Sequence, residues 1–327
     1  MHTKQTILSG IQPSGRLHIG NFLGALSNFT ELQNGDSYDC FFTLVDYHSI
    51  TENYEPKEKR EMTLDLLANF LAAGLDSKKS TIFLQSQVPE HTELAWIFNC
   101  ITPVAELERM TQYKDKSQKQ TTNINMGLFG YPILMAADIL IYKATHVPVG
   151  IDQKQHLELT NTIVHKFNNR FGEAFSEIKP LWTNFPKVMD LKRPENKMSK
   201  SEPDGCLFLD DEPEEIHRKL KKAVTASETG KKSPGEENLM ALLAHFGKND
   251  EAKHFIEQQR NATLKYSELK ETLAKDIAEY FAEFREKKKE LLSKPDYLAQ
   301  VLGDGAVKAK KVAEATLYEV KQKIGLL

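Results

Sequence analysis

The chain has 327 residues, 40% of them hydrophobic and 27% charged, ordinary values for a globular protein of about two domains that buries its core without disulfide or metal staples. A formal net charge of −3 excludes bulk electrostatic attraction to nucleic acid, so DNA binding is not expected and any RNA contact must come from local patches. Cys40, Cys100 and Cys206 stand far apart and form neither a CxxC pair nor a zinc spacing, which argues against a disulfide framework or a protein-bound metal and fits a reducing, cytoplasmic compartment.

Met1-His2-Thr3-Lys4-Gln5 has no apolar signal core. Thr6 to Gly10 is a short β-rich run ended by glycine, and a helical pattern follows from about Ile19 to Leu32. Cys40 to Asp46 is a nearly continuous apolar run, as expected of a strand buried on both faces. Pro56 opens a helix with Leu64, Leu67, Phe70 and Leu71 at helical spacing and a stop at Gly74. Thr81 to Leu84 reads as the next strand. Helices are predicted over 92–110, 127–142 and 153–170, with a short strand from His146 to Val149 between the last two. The greasiest stretch, Tyr131 to Tyr142, is interrupted by Asp138 and is too short to cross a bilayer, so no membrane span is expected. This alternation predicts a doubly wound α/β domain on a parallel sheet. Residues 178–207 are rich in Pro, Lys and Asn and read as a loop. From Pro213 onward the texture changes to Lys/Glu/Ala/Leu stretches of helical period, notably 265–293 and 304–324, which predicts a helical second domain. Lys287-Lys288-Lys289 reads as a solvated helix face. His156 and His165 have no carboxylate–histidine set around them and read as ordinary helix histidines, not metal ligands.

Two elements suit phosphate chemistry. The first strand is followed by Gln12-Pro13-Ser14-Gly15-Arg16-Leu17-His18-Ile19-Gly20-Asn21. A Pro-Ser-Gly turn there hands on to a helix starting near His18, with free N–H groups facing the carboxyl end of the strand. Open α/β sheets bind ligands at that end, and helix N-termini attract phosphate. His18 would donate from its imidazole to a phosphate oxygen, and Gly20 would let a base or ribose lie against the backbone. A glycine turn with an exposed histidine would look the same in sequence. The second element, Lys197-Met198-Ser199-Lys200-Ser201, lies between Pro194 and Pro203 in a mobile-looking loop. Two lysines three apart, with small hydroxyls between, suit closure over a triphosphate tail; a solvated basic loop is the plain alternative. Together, in this order, the two elements are far more specific than either.

These residues also carry a resemblance over nearly the full chain. Gly10 to Gly15, His18 to Asn21, Glu106 to Gln112, Met135 to Leu140, Pro148 to His156 and Lys197 to Ser201 resemble motifs of the class I aminoacyl-tRNA synthetases of the tryptophanyl/tyrosyl subgroup, in its bacterial tryptophanyl branch. His18–Asn21 and Lys197–Ser201 would be that family's HIGH and KMSKS motifs. The resemblance implies a Rossmann-type catalytic domain over 1–190, a KMSKS loop and connector over 191–207, and a helical domain for the tRNA anticodon region over 208–304. The last helix, about 305–327, would pack back onto the first domain. The implied reaction joins L-tryptophan to tRNA(Trp) with ATP and Mg²⁺, releasing AMP and diphosphate, on a cytoplasmic homodimer. By resemblance His18, Lys197, Lys200 and Lys116 are the catalytic groups. Gln12, Ser14, Gly20, Asn21, Gly150, Met198 and Ser199 would line the ATP site, and Asp152 would meet the ribose hydroxyls. Asp138 would bind the indole N–H, Tyr131 and Gln153 would hold the amino group, and His48 would form a pocket wall.

The chemistry of Asp138 fits that role. The only polar side-chain atom of tryptophan is a donor, and an ionised aspartate only accepts. Met135 lies one turn back on the same helix face, where a soft side chain can pack on the ring. Phenylalanine would leave Asp138 unpaired and be rejected for it. Taken alone, a mid-helix aspartate is more often salt-bridged or half-exposed, and His48 reads equally as a hydrogen-bonded structural histidine. Ile151 departs from the family, which often has an acidic residue there. Three rivals stand beside this reading. A tyrosyl enzyme also fits an aspartate, but the Met-Ser of the lysine loop disfavours it. A catalytically inactive synthetase-like regulator would be expected to have eroded a signature. A small-molecule nucleotidyltransferase would share the His-Ile-Gly element but not the long helical tail.

Overall fold

The computed structural model describes residues 4–114, 124–182, 187–225 and 233–327, arranged as two compact units. The first comprises Met1–Gly15, Ser27–Thr183 and Leu292–Leu327. It is built on five strands: β1 (Gln5–Ile11), β2 (Tyr38–Leu44), β3 (Thr81–Leu84), β4 (His146–Val149) and β5 (Lys179–Trp182). All pair in parallel, in the order β3-β2-β1-β4-β5. The order reverses between β1 and β4, so the crevice at the carboxyl ends of these two strands is the switch point of a Rossmann-type sheet.

The legibility of each strand follows from its place in the sheet. In β2, Cys40 to Leu44 are all buried, as both faces of a central parallel strand must be. β5 falls inside the stretch that reads as a loop. Its Lys-Pro-Leu-Trp sequence lies at the sheet edge and is half-exposed, a position where a proline without an N–H is readily tolerated. The helix predicted over 92–110 is two helices, Glu90–Asn99 and Val104–Glu108, because Pro103 cannot supply the N–H that would continue the first.

The C-terminal helix, Pro295–Ile324, belongs to this first unit. It approaches the sheet backbone closely through Gly305, where a Cβ would stand 1.8 Å from the carbonyl oxygen of Ile82 in β3. Ala306, Ala309 and Ala313 keep the same face narrow, and Leu317 and Val320 join a core with Phe41, Phe83, Phe98 and Phe167.

The second unit comprises Arg16–Leu26 and Asn184–Leu291. Its helices run Pro213–Lys221, Pro234–Phe246, Asn249–Arg260, Tyr266–Tyr280 and Ala282–Leu292. Pro213 and Pro234 each open a helix, where a missing N–H costs nothing. The single helix predicted over 265–293 turns at Phe281, whose buried ring packs on Phe22, Phe246 and Phe284. No helix among the described residues is long and apolar enough to cross a membrane.

Candidate active site

Helix Met126–Leu140 is opened by Asn125, whose side chain accepts the Leu128 N–H at 2.9 Å. It is apolar almost all round and therefore buried, and it carries Asp138 inside with 2% exposure. Three donors converge on that carboxylate. Gln85 Nε2 at 2.7 Å and His91 Nδ1 at 2.6 Å meet Oδ1, and His48 Nε2 at 2.7 Å meets Oδ2. Burial pushes the Asp138 carboxyl upward, but hydrogen bonds and positive character from His48 and His91 outweigh it and hold the group well below the usual carboxylate range. His91 Nε2 in turn lies 2.7 Å from the hydroxyl of Tyr142. His48 follows β2, Gln85 follows β3, and His91 sits in the next helix, so the sheet order itself gathers the donors. The expectation that phenylalanine would leave Asp138 unpaired therefore needs correction. Three side chains of the protein already pair it, and among the described residues the second lone-pair direction of Oδ2 takes no side-chain donor.

Tyr131 lies two turns before Asp138 in the same helix. Its hydroxyl donates to Gln112 Oε1 at 3.2 Å and stands 3.0 Å from His156 Nε2. Burial, with a smaller contribution from Glu52, pushes the phenol up to about 12. Gln112 Nε2 reaches on to the Asp152 carbonyl at 3.0 Å. A Cβ at Gly150 would stand 2.6 Å from Asp152 Oδ1, the end of an exposed side chain that can turn aside. Gln153 Nε2 donates to Asp152 Oδ2 at 2.9 Å, and the Asp152 side chain is otherwise exposed. The Gly150–Gln153 turn follows β4, and Gln12 and Ser14 follow β1, so the switch point brings both loops to one end of the sheet. The Ser14 hydroxyl donates to the Gln12 carbonyl at 3.3 Å. Met135 is half-buried against the core, and Ile151 is 65% exposed.

In the second unit, the backbone around His18 pairs antiparallel with the segment after the lysine loop. The Ile19 N–H donates to the Leu207 carbonyl at 2.9 Å, and the Leu209 N–H to the Leu17 carbonyl at 3.0 Å. One helix-start amide expected to be free is thus engaged by Leu207. Asn21 Oδ1 accepts the His18 N–H at 3.1 Å and steadies the turn. Gly20 makes room for the imidazole itself, since a Cβ would stand 2.9 Å from His18 Cε1. His18 is buried, not an exposed turn residue, and its Nδ1 has no hydrogen-bond partner among the described residues. Burial first, then the charges of Lys200 and Lys197, lowers its pKa to about 4. At neutral pH it is an uncharged donor beside two cations.

The lysine loop is anchored at its middle. Met198 is buried, and its N–H donates to the Val188 carbonyl at 2.9 Å. Met189 and Lys197 form an antiparallel bridge. The hydroxyls of Ser199 and Ser201 lie 2.9 Å apart. Asp190 Oδ1 accepts the N–H groups of Lys192 and Arg193 at 2.8 and 2.9 Å. Behind His18 stands a charged bracket. Arg16 pairs with Asp210 and Asp211, Lys219 with Asp211 at 2.6 Å, and Lys288 with Asp210 at 2.7 Å. The solvated reading of the lysine run fails at its centre: Lys287 and Lys289 are exposed, but Lys288 is buried against Asp210. Lys116 lies outside the described residues.

Residues 1–282 match the family model described as tRNA synthetases class I (W and Y). The chain belongs to the class I tryptophanyl/tyrosyl-tRNA synthetases. Two similar proteins are the tryptophan–tRNA ligases of Clostridium tetani and Wolinella succinogenes. The first is 46% identical over 332 residues, spanning 99% of this chain and 96% of that protein. The second is 42% identical over 331 residues, spanning 99% of each. The crystal structure of tryptophanyl-tRNA synthetase from Campylobacter jejuni complexed with ADP and tryptophan superposes with a TM-score of 0.85 at 35% identity, covering 98% of this chain and 99% of that one. This synthetase is therefore of the bacterial tryptophanyl type, an ATP-dependent tryptophan–tRNA ligase. The tyrosyl, regulatory and nucleotidyltransferase rivals find no support among these relatives.

Several residues that the structure brings to the candidate site were not singled out from sequence. Gln85 was findable, since it directly follows a predicted strand at the ligand-binding end. Gln112 closes the Glu106–Gln112 motif. His91 and Tyr142 carried no signal, because their roles depend on packing between β3 and two helices. His156, read as an ordinary helix histidine, touches Tyr131.

Proposed function

We propose that this synthetase reads the indole of tryptophan through Asp138 and handles the triphosphate of ATP through His18, Lys197 and Lys200. The observation that carries the reading is the buried, ionised Asp138 with one lone-pair direction left open, beside Tyr131 two turns away. Tyr131 and Gln153 accept from the α-ammonium of the substrate, and His48 and Met135 wall the ring. Gln12, Ser14, Gly150 and Asp152 follow adjacent strands and serve the nucleotide, Asp152 accepting from the ribose hydroxyls. Gly20 and Asn21 act by shaping the His18 turn. Ser199 and the backbone of Met198 border the phosphates. Lys116 is a further phosphate lysine.

In the first step the tryptophan carboxylate attacks the α-phosphorus and diphosphate leaves, giving tryptophanyl-adenylate. In the second, the terminal ribose hydroxyl of tRNA(Trp) attacks the acyl carbon and AMP leaves. No enzyme nucleophile is needed. Neutral His18 donates to a phosphate oxygen, and the two ammonium groups meet the charge that grows on the leaving diphosphate. Among the described residues no cluster of three or more His, Cys, Asp or Glu side chains could hold a metal. Mg²⁺ would arrive on the oxygens of the triphosphate as part of the substrate, and no step is assigned to it. The assembly acts as a homodimer in the cytoplasm, with residues 208–304 serving the anticodon region of the tRNA.

Two variants test this reading. Lys200→Ala lowers the activation rate by about 10²-fold or more while tryptophan affinity changes little, as loss of a transition-state contact requires. Equal losses in both would contradict the assignment. Asp138→Ala weakens tryptophan binding and narrows discrimination against phenylalanine; unchanged selectivity would remove Asp138 from the indole site.

A further inference from the structure

We infer that His91, backed by Tyr142, is a positioning residue that presents Oδ2 of Asp138 to the indole by saturating Oδ1. The inference rests on the reading of Asp138 as the indole acceptor and goes one layer outward from it. His91 is fully buried and bonded to Asp138 Oδ1, so in this reading it acts through the carboxylate.

The proton positions follow from what each atom can do. An ionised carboxylate only accepts, so Gln85, His91 and His48 must each donate to it. His91 then carries its proton on Nδ1. With the ring neutral, its Nε2 has a lone pair, and the partner 2.7 Å away, the Tyr142 hydroxyl, donates into it. Each link in the chain Tyr142–His91–Asp138 fixes the next. Tyr142 itself is held rigidly. Its ring stacks on Phe41 at 4.7 Å and meets Phe83 edge-on at 5.4 Å.

The two oxygens of Asp138 are therefore not equivalent. Oδ1 receives two donors, which fills both of its lone-pair directions. Among the described residues Oδ2 receives one side-chain donor, from His48, and keeps one direction open. Removing the His91 donor frees an acceptor site on Oδ1, so the carboxyl can turn. It also removes part of what keeps a buried carboxyl ionised, and a protonated carboxyl no longer offers two equivalent acceptors. Indole recognition by its N–H should then fade while the shape of the pocket stays.

The test compares L-tryptophan with its 3-benzothienyl analogue, in which sulfur replaces the indole N–H with little change of shape. ATP–diphosphate exchange gives kcat and KM for each. The unaltered enzyme prefers tryptophan by about 10- to 100-fold, mostly in KM, the span expected of one hydrogen bond to a charged acceptor. In His91→Phe that preference falls to within a few-fold, while KM for the analogue stays near its original value. Tyr142→Phe removes only the distal hydroxyl and gives an intermediate preference. His91→Asn places an amide N–H near the position of Nδ1 and restores most of it. A purely structural role would weaken both substrates equally and leave the ratio intact, and that result would overturn the inference. If His91→Phe does not fold, the ratio in Tyr142→Phe decides. Asp138→Ala in the same assay separates the two layers. Should the ratio survive in Asp138→Ala, the indole reading fails and this inference with it. Should it vanish there but persist in His91→Phe and Tyr142→Phe, only the positioning role of His91 fails.

Discussion

At His18, burial and two neighbouring lysines act in the same direction. Both disfavour the imidazolium, and the group titrates near 4 instead of its usual 6.5. Between those limits the unfolded chain binds a proton at this position that the native chain does not, so native stability falls as pH drops from about 6.5 to about 4. Below the lower limit both states are protonated and the loss is complete. Urea unfolding at pH 6.5 and 4.5 should show a smaller loss in His18→Gln than in the unaltered protein. Replacing Lys197 with alanine should move the titration of His18 upward in an NMR experiment, because one repelling charge is gone. The same logic explains why a histidine suits this place: it donates a hydrogen bond without adding a third positive charge that would bind the ground state of ATP as tightly as the transition state.

Among the elements, the C-terminal helix depends on a single absent side chain. At Gly305 any Cβ would collide with the backbone of β3, and backbone cannot move aside as a flexible side chain can. Gly305→Ala should cost about 1–3 kcal/mol or more, read from the urea midpoint, in spite of alanine's better helix propensity. Gly303, two residues earlier on another face of the helix, has nothing within 4 Å of where a Cβ would stand, so Gly303→Ala should be neutral or slightly stabilising. In the second unit, helix Ala282–Leu292 reaches the segment beside His18 through Lys288 and Asp210. Lys288→Met leaves Asp210 still paired to Arg16, so its cost should stay below the roughly 3–5 kcal/mol of a fully orphaned buried charge.

For the molecule as a whole, the activity is that of a ligand-binding enzyme, and ligand should stabilise it by mass action. Tryptophan at about 100 times its Kd adds about 2.7 kcal/mol to the unfolding free energy. A thermal scan should show a rise of several degrees with tryptophan and little with tyrosine at the same concentration. Asp138→Ala should lose most of that rise while keeping stabilisation by ATP, because the residues proposed for each ligand are different.

The sequence by itself determined the class of chemistry and most of the architecture. The His18 element, the lysine loop and Asp138 in an apolar helix are local patterns, and the central strands are continuous apolar runs whose burial on both faces is written in their composition. An edge strand has no such requirement, so β5, with its proline and half-exposed side chains, stayed illegible. The same limit holds within the site. That Lys288 turns inward, that Gly20 clears the His18 ring, and that Asp138 already holds three donors are facts of who packs against whom. His91, Gln85 and His48 come from three separate stretches of chain, and only the parallel order of β2 and β3 beside helix Met126–Leu140 brings them to one carboxylate. Spacing along a chain records which side chains share a helix face or a strand face. It does not record which oxygen of a buried carboxylate is left open, because that depends on donors supplied by neighbours far away in sequence.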